Sequence, residues 1–132
     1  MSDINFLAVG VAAIAVFFIS FAWYSAFSSA YAELTGTARD AADTRPPPWQ
    51  IGLELLRSLL VGTVVAGLVV AIGVESWVGG ILLGLALWVG FPVVLLAGSV
   101  LWDKVPVKLA AIHGGDWLVK LLVIATIVSV WQ

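Results

Sequence analysis

The side chains best suited to chemistry lie in one short segment near the C-terminus: His113, Asp116, Trp117 and Lys120. At about 100° per residue of α-helix, these four fall on one face. Asp116 precedes Lys120 by four positions, the favourable order for a helical ion pair. A second set, Glu54, Arg57, Ser58 and Val61, shares a face by the same spacing. Acids, bases and an imidazole in such a group suit two tasks. They can pair with one another and lock helices in register, or they can line a route for a proton, an ion or a polar solute. No nucleophile elbow, phosphate-binding loop or catalytic dyad accompanies them, so no enzymatic activity is expected. With one histidine and no cysteine in the chain, no metal-ligand cluster forms, and neither metal nor cofactor is expected.

The elements that must position these residues are membrane helices. Apolar types make up 62% of the 132 residues and charged types 11%, against roughly 45–50% and about 25% in soluble proteins. A water-soluble fold of this length has no interior large enough for that apolar surface, whereas a bilayer supplies an apolar solvent for it. Crossing the hydrocarbon takes about 20 mostly apolar residues. Four stretches qualify, at about residues 4–27, 49–73, 77–102 and 107–131. Barrel strands alternate polar and apolar residues over short segments, and these stretches do not. The expected fold is all-α, a single integral membrane domain built as a four-helix transmembrane bundle. Trp49, Trp77, Trp102 and Trp131 stand at span ends, where interfacial anchors belong.

Basic residues set the orientation. Arg39 and Arg45 lie in the loop at about 28–48, and Lys104 and Lys108 flank the third connection. The second connection and the two termini carry no Lys or Arg. The positive-inside rule then puts the first and third connections in the cytoplasm and both termini on the non-cytoplasmic side of the cell membrane. Cleavage after Ala30-Tyr31-Ala32 is not expected, because no basic residue precedes an apolar run that is too long for a signal peptide. A net charge of -2 without a basic block excludes a nucleic-acid partner.

In this topology the second and fourth spans run parallel, so depths along them can be compared. At about 1.5 Å per residue, Glu54 lies ~7 Å and Arg57 ~12 Å from the start of the second span. His113, Asp116 and Lys120 lie ~10, ~15 and ~21 Å from Pro106. Each unpaired charge at such depth costs about 2.5–3.5 kcal/mol on insertion scales. The charges are therefore expected to face one another inside the bundle, with Arg57 reaching Asp116 and Glu54 approaching His113. Small residues predict close helix approach: Gly80 with Gly84, Gly62 with Ala66, Gly67 with Ala71, and the pair Gly114-Gly115 beside the charged face. Pro92, after Gly90-Phe91, predicts a kink in the third span.

Several of these segments resemble one family. Phe21-Ala22-Trp23-Tyr24-Ser25 ends the first span, and Leu87-Trp88-Val89-Gly90-Phe91 lies in the third. The fourth reads Leu109-Ala110-Ala111-Ile112-His113-Gly114-Gly115-Asp116-Trp117-Leu118-Val119-Lys120 and closes with Val130-Trp131-Gln132. Together they are similar to the domain of unknown function 1761 family of small prokaryotic membrane proteins, over nearly the whole chain except the proline-bearing loop. The resemblance implies four spans and marks Trp23, Tyr24, Ser25, Trp88 and Trp117 as motif residues. It implies no settled activity. The family usually has proline after the Trp-Tyr-Ser triplet; Ala26 stands there instead, so the first helix is expected to run further.

Two functions fit these features. The first is a structural, accessory or partner-binding membrane subunit, seated in the lipid bilayer as a homo-oligomer or within a larger membrane complex. The alternative is a small transporter or channel for a proton, ion or small polar solute that uses the intramembrane charges. A water-filled route to those charges would favour the second, and a dry, fully paired cluster the first.

Overall fold

A computed structural model describes residues 4–27 and 48–131. Five helices form four spans: α1 Phe6–Ala26, α2 Pro48–Ile72, α3 Trp77–Gly90, α4 Pro92–Trp102 and α5 Val107–Val130. α3 and α4 are the two halves of one span, Trp77–Trp102, and all four spans are long and apolar enough to cross a membrane. No strand occurs among the described residues. Apart from Pro48, the loop expected at about 28–48, with Arg39 and Arg45, lies outside them.

Local chemistry sets the helix ends. The Asn5 side chain accepts from the backbone N–H groups of Leu7 and Ala8 and caps α1. Ser76 caps α3 by accepting from the Gly79 N–H at 3.1 Å. Gly73 adopts a φ of 86° after α2, a conformation that favours glycine. The third span breaks where Pro92 was expected to break it. Phe91 leaves helical geometry at φ -123° and ψ -74°, and Pro92, which has no N–H to give, starts a fresh helix.

α5 is the centre of the bundle, in contact with each of the other four helices. Ala8, Val9, Ala12 and Val16 of α1 pack with Val65, Ala66 and Val69 of α2 and with Leu121, Ile124, Ala125 and Val128 of α5. Their small size brings the helices together without the hydrophobic drive available in water, so packing contacts carry the association. The Asn5 amide donates to the Trp131 carbonyl at 3.3 Å, so the start of α1 and the end of α5 lie on the same side. The Gly-x-x-x-Gly step of the third span is spent inside the chain. A Cβ on Gly80 would sit 2.8 Å from the Ala125 carbonyl oxygen, and one on Gly84 would sit 3.0 Å from that of Leu121. Gly62 faces Val9 more loosely, at 3.1 Å, and Gly67 and Gly114 meet only ordinary contacts at 3.7 and 3.5 Å.

The outer surface of the spans is largely apolar. Phe18, Leu60, Leu82 and Leu95 are exposed, as a bilayer-facing surface requires. Trp49, Trp77, Trp102 and Trp131 are exposed at the span ends. Beyond the break at Phe91, α4 buries only Pro92. It leaves an apolar groove of about 440 Å³ against α5, lined by Leu96, Val100, Val107, Ala110 and Gly114 among others.

Candidate functional site

The residues that could do chemistry gather around the first half of α5. Asp116 and Lys120 are buried there, as helix spacing requires if one face of α5 is the core of the bundle. The Lys120 ammonium lies 3.2 Å from Asp116 Oδ2 and 4.8 Å from the Trp117 ring centroid, a cation–π contact along the same helix face. The other carboxylate oxygen, Oδ1, accepts from the Ser20 hydroxyl of α1 at 2.6 Å, the short distance of a charge-assisted bond. A buried carboxylate needs hydrogen-bond partners, and this chain gives each oxygen one, from α1 and from α5 itself.

Three aromatic side chains from other spans tie down the same segment. The Trp23 indole of α1 donates to the Ile112 carbonyl at 2.9 Å. The Trp88 indole of α3 donates to the Gly114 carbonyl at 2.8 Å. The Tyr24 hydroxyl and His113 Nδ1 are hydrogen-bonded at 2.7 Å. Gly115 is what lets Trp23 come so close, since a Cβ there would stand 2.4 Å from the Trp23 ring. The Trp23-Tyr24 motif, Trp88 and the His-Gly-Gly-Asp run are thus parts of one contact region, although they come from three spans. Trp117 belongs to it through Lys120, whereas the Ser25 side chain is exposed.

The second set of charges stands elsewhere. Arg57 pairs with Glu54 one turn away on α2, with side chains 60% and 41% exposed. No ion pair joins Arg57 to Asp116, which corrects the expectation that they meet. The reason is register. The stripe α2 turns inward runs through Ser58, Gly62, Val65 and Val69, and Arg57 is rotated about 100° from Ser58, off that stripe. Asp116 already has two partners, and His113 takes Tyr24 instead of Glu54. Of the set on α2, Ser58 alone is buried. Between the two sets lies a cavity of about 30 Å³, lined by Arg57, Ser58, Val61, Trp117, Lys120 and Ile124.

Ser20 lies outside both sets of residues that share a helix face in the sequence. Its signal was present: Ser20, Trp23 and Tyr24 share a helix face, and Ser20 is a hydroxyl deep in an otherwise apolar run. Among the described residues no group of three or more His, Cys, Asp or Glu side chains is arranged to hold a metal.

A family model described as "Protein of unknown function (DUF1761)" matches residues 7–129. No curated protein and no solved structure matches the chain significantly.

Proposed function

We propose, for a chain that belongs to the DUF1761 family and has four helices able to span a membrane, the role of a structural or accessory subunit of the cell membrane that binds a partner. The buried cluster acts as a lock for helix register. One observation carries this reading: each oxygen of Asp116, the most deeply buried charge among the described residues, has a partner in the same chain, Ser20 on one and Lys120 on the other. A group that binds or relays a polar cargo is expected to lie open to it, whereas Asp116 is 2% exposed and engaged at both oxygens. Its neighbours are equally engaged, with indole donors on the Ile112 and Gly114 carbonyls. The proposal includes no catalytic step, and it leaves the apolar outer faces to lipid and to a larger complex or further copies of the chain.

Purification of the chain from native membranes in mild detergent, after brief crosslinking, tests the role. A partner or further copies recovered in fixed proportion is the expected result. A solitary chain that conducts ions in liposomes would favour the alternative, a small transporter or channel. That alternative draws its support from the cavity beside Lys120.

We also propose that both termini face away from the cytoplasm. The basis is the one-sided placement of Arg39, Arg45, Lys104 and Lys108. Single cysteines at Thr37 and Ser76 should label from opposite sides of intact cells, Ser76 from outside. Labelling of both from one side would sink the topology.

A further inference from the structure

The connection Asp103-Lys104-Val105-Pro106 joins α4 to α5, and the groove between these helices runs inward from it. Val100 and Val107 line the groove beside the connection. Gly114 and Trp88 lie at its far end, about 10 Å deeper at 1.5 Å per residue of α5. The only polar side-chain atom in the lining is the Trp88 indole N–H, which is already spent on the Gly114 carbonyl at 2.8 Å. The groove therefore offers hydrocarbon to whatever lies in it.

The mouth of the groove is charged. Lys104 and Lys108 are exposed there. Neither pairs with a described carboxylate, since the ion pairs among the described residues are those of Arg57 and Lys120. Asp103 is the one acid in the connection, so two cations stand against one carboxylate. Trp102, 83% exposed beside them, sets this end at the level of the lipid headgroups.

We infer that the α4–α5 groove binds an anionic phospholipid, with one acyl chain between the helices and the phosphate held by Lys104 and Lys108. The occupant has to be apolar along the groove and negative at its mouth, and such a lipid combines both in one molecule. Basic residues at the headgroup end of a cleft between membrane helices are suited to an anionic headgroup. A second copy of the chain fits poorly. In the same orientation it would bring its own Lys104 and Lys108 to the same level, and like charges repel. The site is separate from the charge cluster on α5, and it requires neither the accessory role nor the proposed topology.

The test uses the full chain in detergent, stripped of native lipid and offered phosphatidylglycerol or phosphatidylcholine with the same acyl chains. Native mass spectrometry counts the retained lipid, and the thermal unfolding midpoint reports its effect. One phosphatidylglycerol retained with a raised midpoint is expected, with weaker retention of phosphatidylcholine. Glycerol 3-phosphate, which has the charge without the chains, should leave the midpoint unchanged. Lys104→Gln and Lys108→Gln should each reduce the preference for phosphatidylglycerol about fivefold, the scale of one basic residue near an anionic surface, and the double variant should lose it. Ala111→Leu, at an exposed position in the groove, should lower retention of both lipids. Leu95→Ala, exposed and outside the groove, should change neither. Equal retention of the two lipids by the wild-type chain would overturn the inference, as would a preference that survives the double lysine variant. Retention unaffected by Ala111→Leu would overturn the groove as the site. The chain has no cysteine, so a disulfide-linked dimer of Ala111→Cys in native membranes would place a second copy in the groove and overturn the lipid. Should Ala111→Leu not fold, Ala97→Leu fills the same groove from α4.

Discussion

Two acid–base pairs with nearly the same helical spacing meet different fates in this protein. Asp116 and Lys120 lie inside the bundle, where a third group, Ser20, reaches the carboxylate from another helix. Glu54 and Arg57 pair on the outer side of α2 and leave the interior to Ser58. Each pair lowers the cost of a charge within a membrane span. Only the first is joined to other spans. On the proposed reading, a pair becomes a structural lock when its helix turns it toward several neighbours, and α5 is the helix in contact with each of the other four.

The comparison breaks most sharply at the two acids. Asp116→Ala strands the buried Lys120 ammonium and frees the Ser20 hydroxyl. The expected loss is about 3–5 kcal/mol, typical of removing one partner from a buried ion pair. Unfolding in detergent with a graded denaturant measures it. Glu54→Ala in the same assay should cost far less, because Arg57 remains partly exposed and can shift toward the interface. Equal losses from the two variants would erase the distinction.

Gly115→Ala is next in size. The new methyl group would collide with the Trp23 ring, which an indole hydrogen bond holds against the Ile112 carbonyl. Displacement of Trp23 should cost about 1–3 kcal/mol, the range for overpacking, and should change the tryptophan fluorescence. Gly10→Ala is the control, since nothing lies within 4 Å of a Cβ at Gly10. It should be neutral or slightly stabilising, for alanine is the better helix former by about 1 kcal/mol.

Arg57→Leu should have the smallest effect. It leaves Glu54 without its partner, but that carboxylate is 41% exposed near the start of α2 and can turn toward the interface, so the loss should stay below that of Asp116→Ala. A loss as large as that of Asp116→Ala would mean that Arg57 belongs to the lock after all.

Most of the architecture was legible because it follows from length and composition. Four apolar runs, tryptophans at their ends and a proline inside the third gave the helices and the break at Phe91. The Asp116–Lys120 pair was legible too, since both residues lie on one helix and local spacing determines whether they meet. What spacing within one helix does not determine is rotation between helices. Glu54, Arg57 and Ser58 form one face by sequence, yet the packing of α2 is centred on Ser58, Gly62 and Val65, and Arg57 falls outside it. Ser20 and the indole donors of Trp23 and Trp88 were hidden for the same reason, because their acceptors lie 89 or more positions away for α1 and 26 away for α3. The residues on which the family resemblance was drawn lie in this region, but only the fold shows that Trp23, Tyr24 and Trp88 converge on the Ile112–Gly115 stretch of α5.

The central claim is that the charges on α5 hold the bundle together and carry nothing through it. The most direct measurement is proton and ion flux in liposomes for the wild-type chain, Asp116→Asn and Lys120→Met, read beside the thermal unfolding midpoint of each. A lock predicts no flux above empty liposomes in any of the three, with both variants less stable than wild type and Lys120→Met still folded because Ser20 continues to hold Asp116. Robust flux through the wild-type protein, abolished in both variants at an unchanged midpoint, would contradict it.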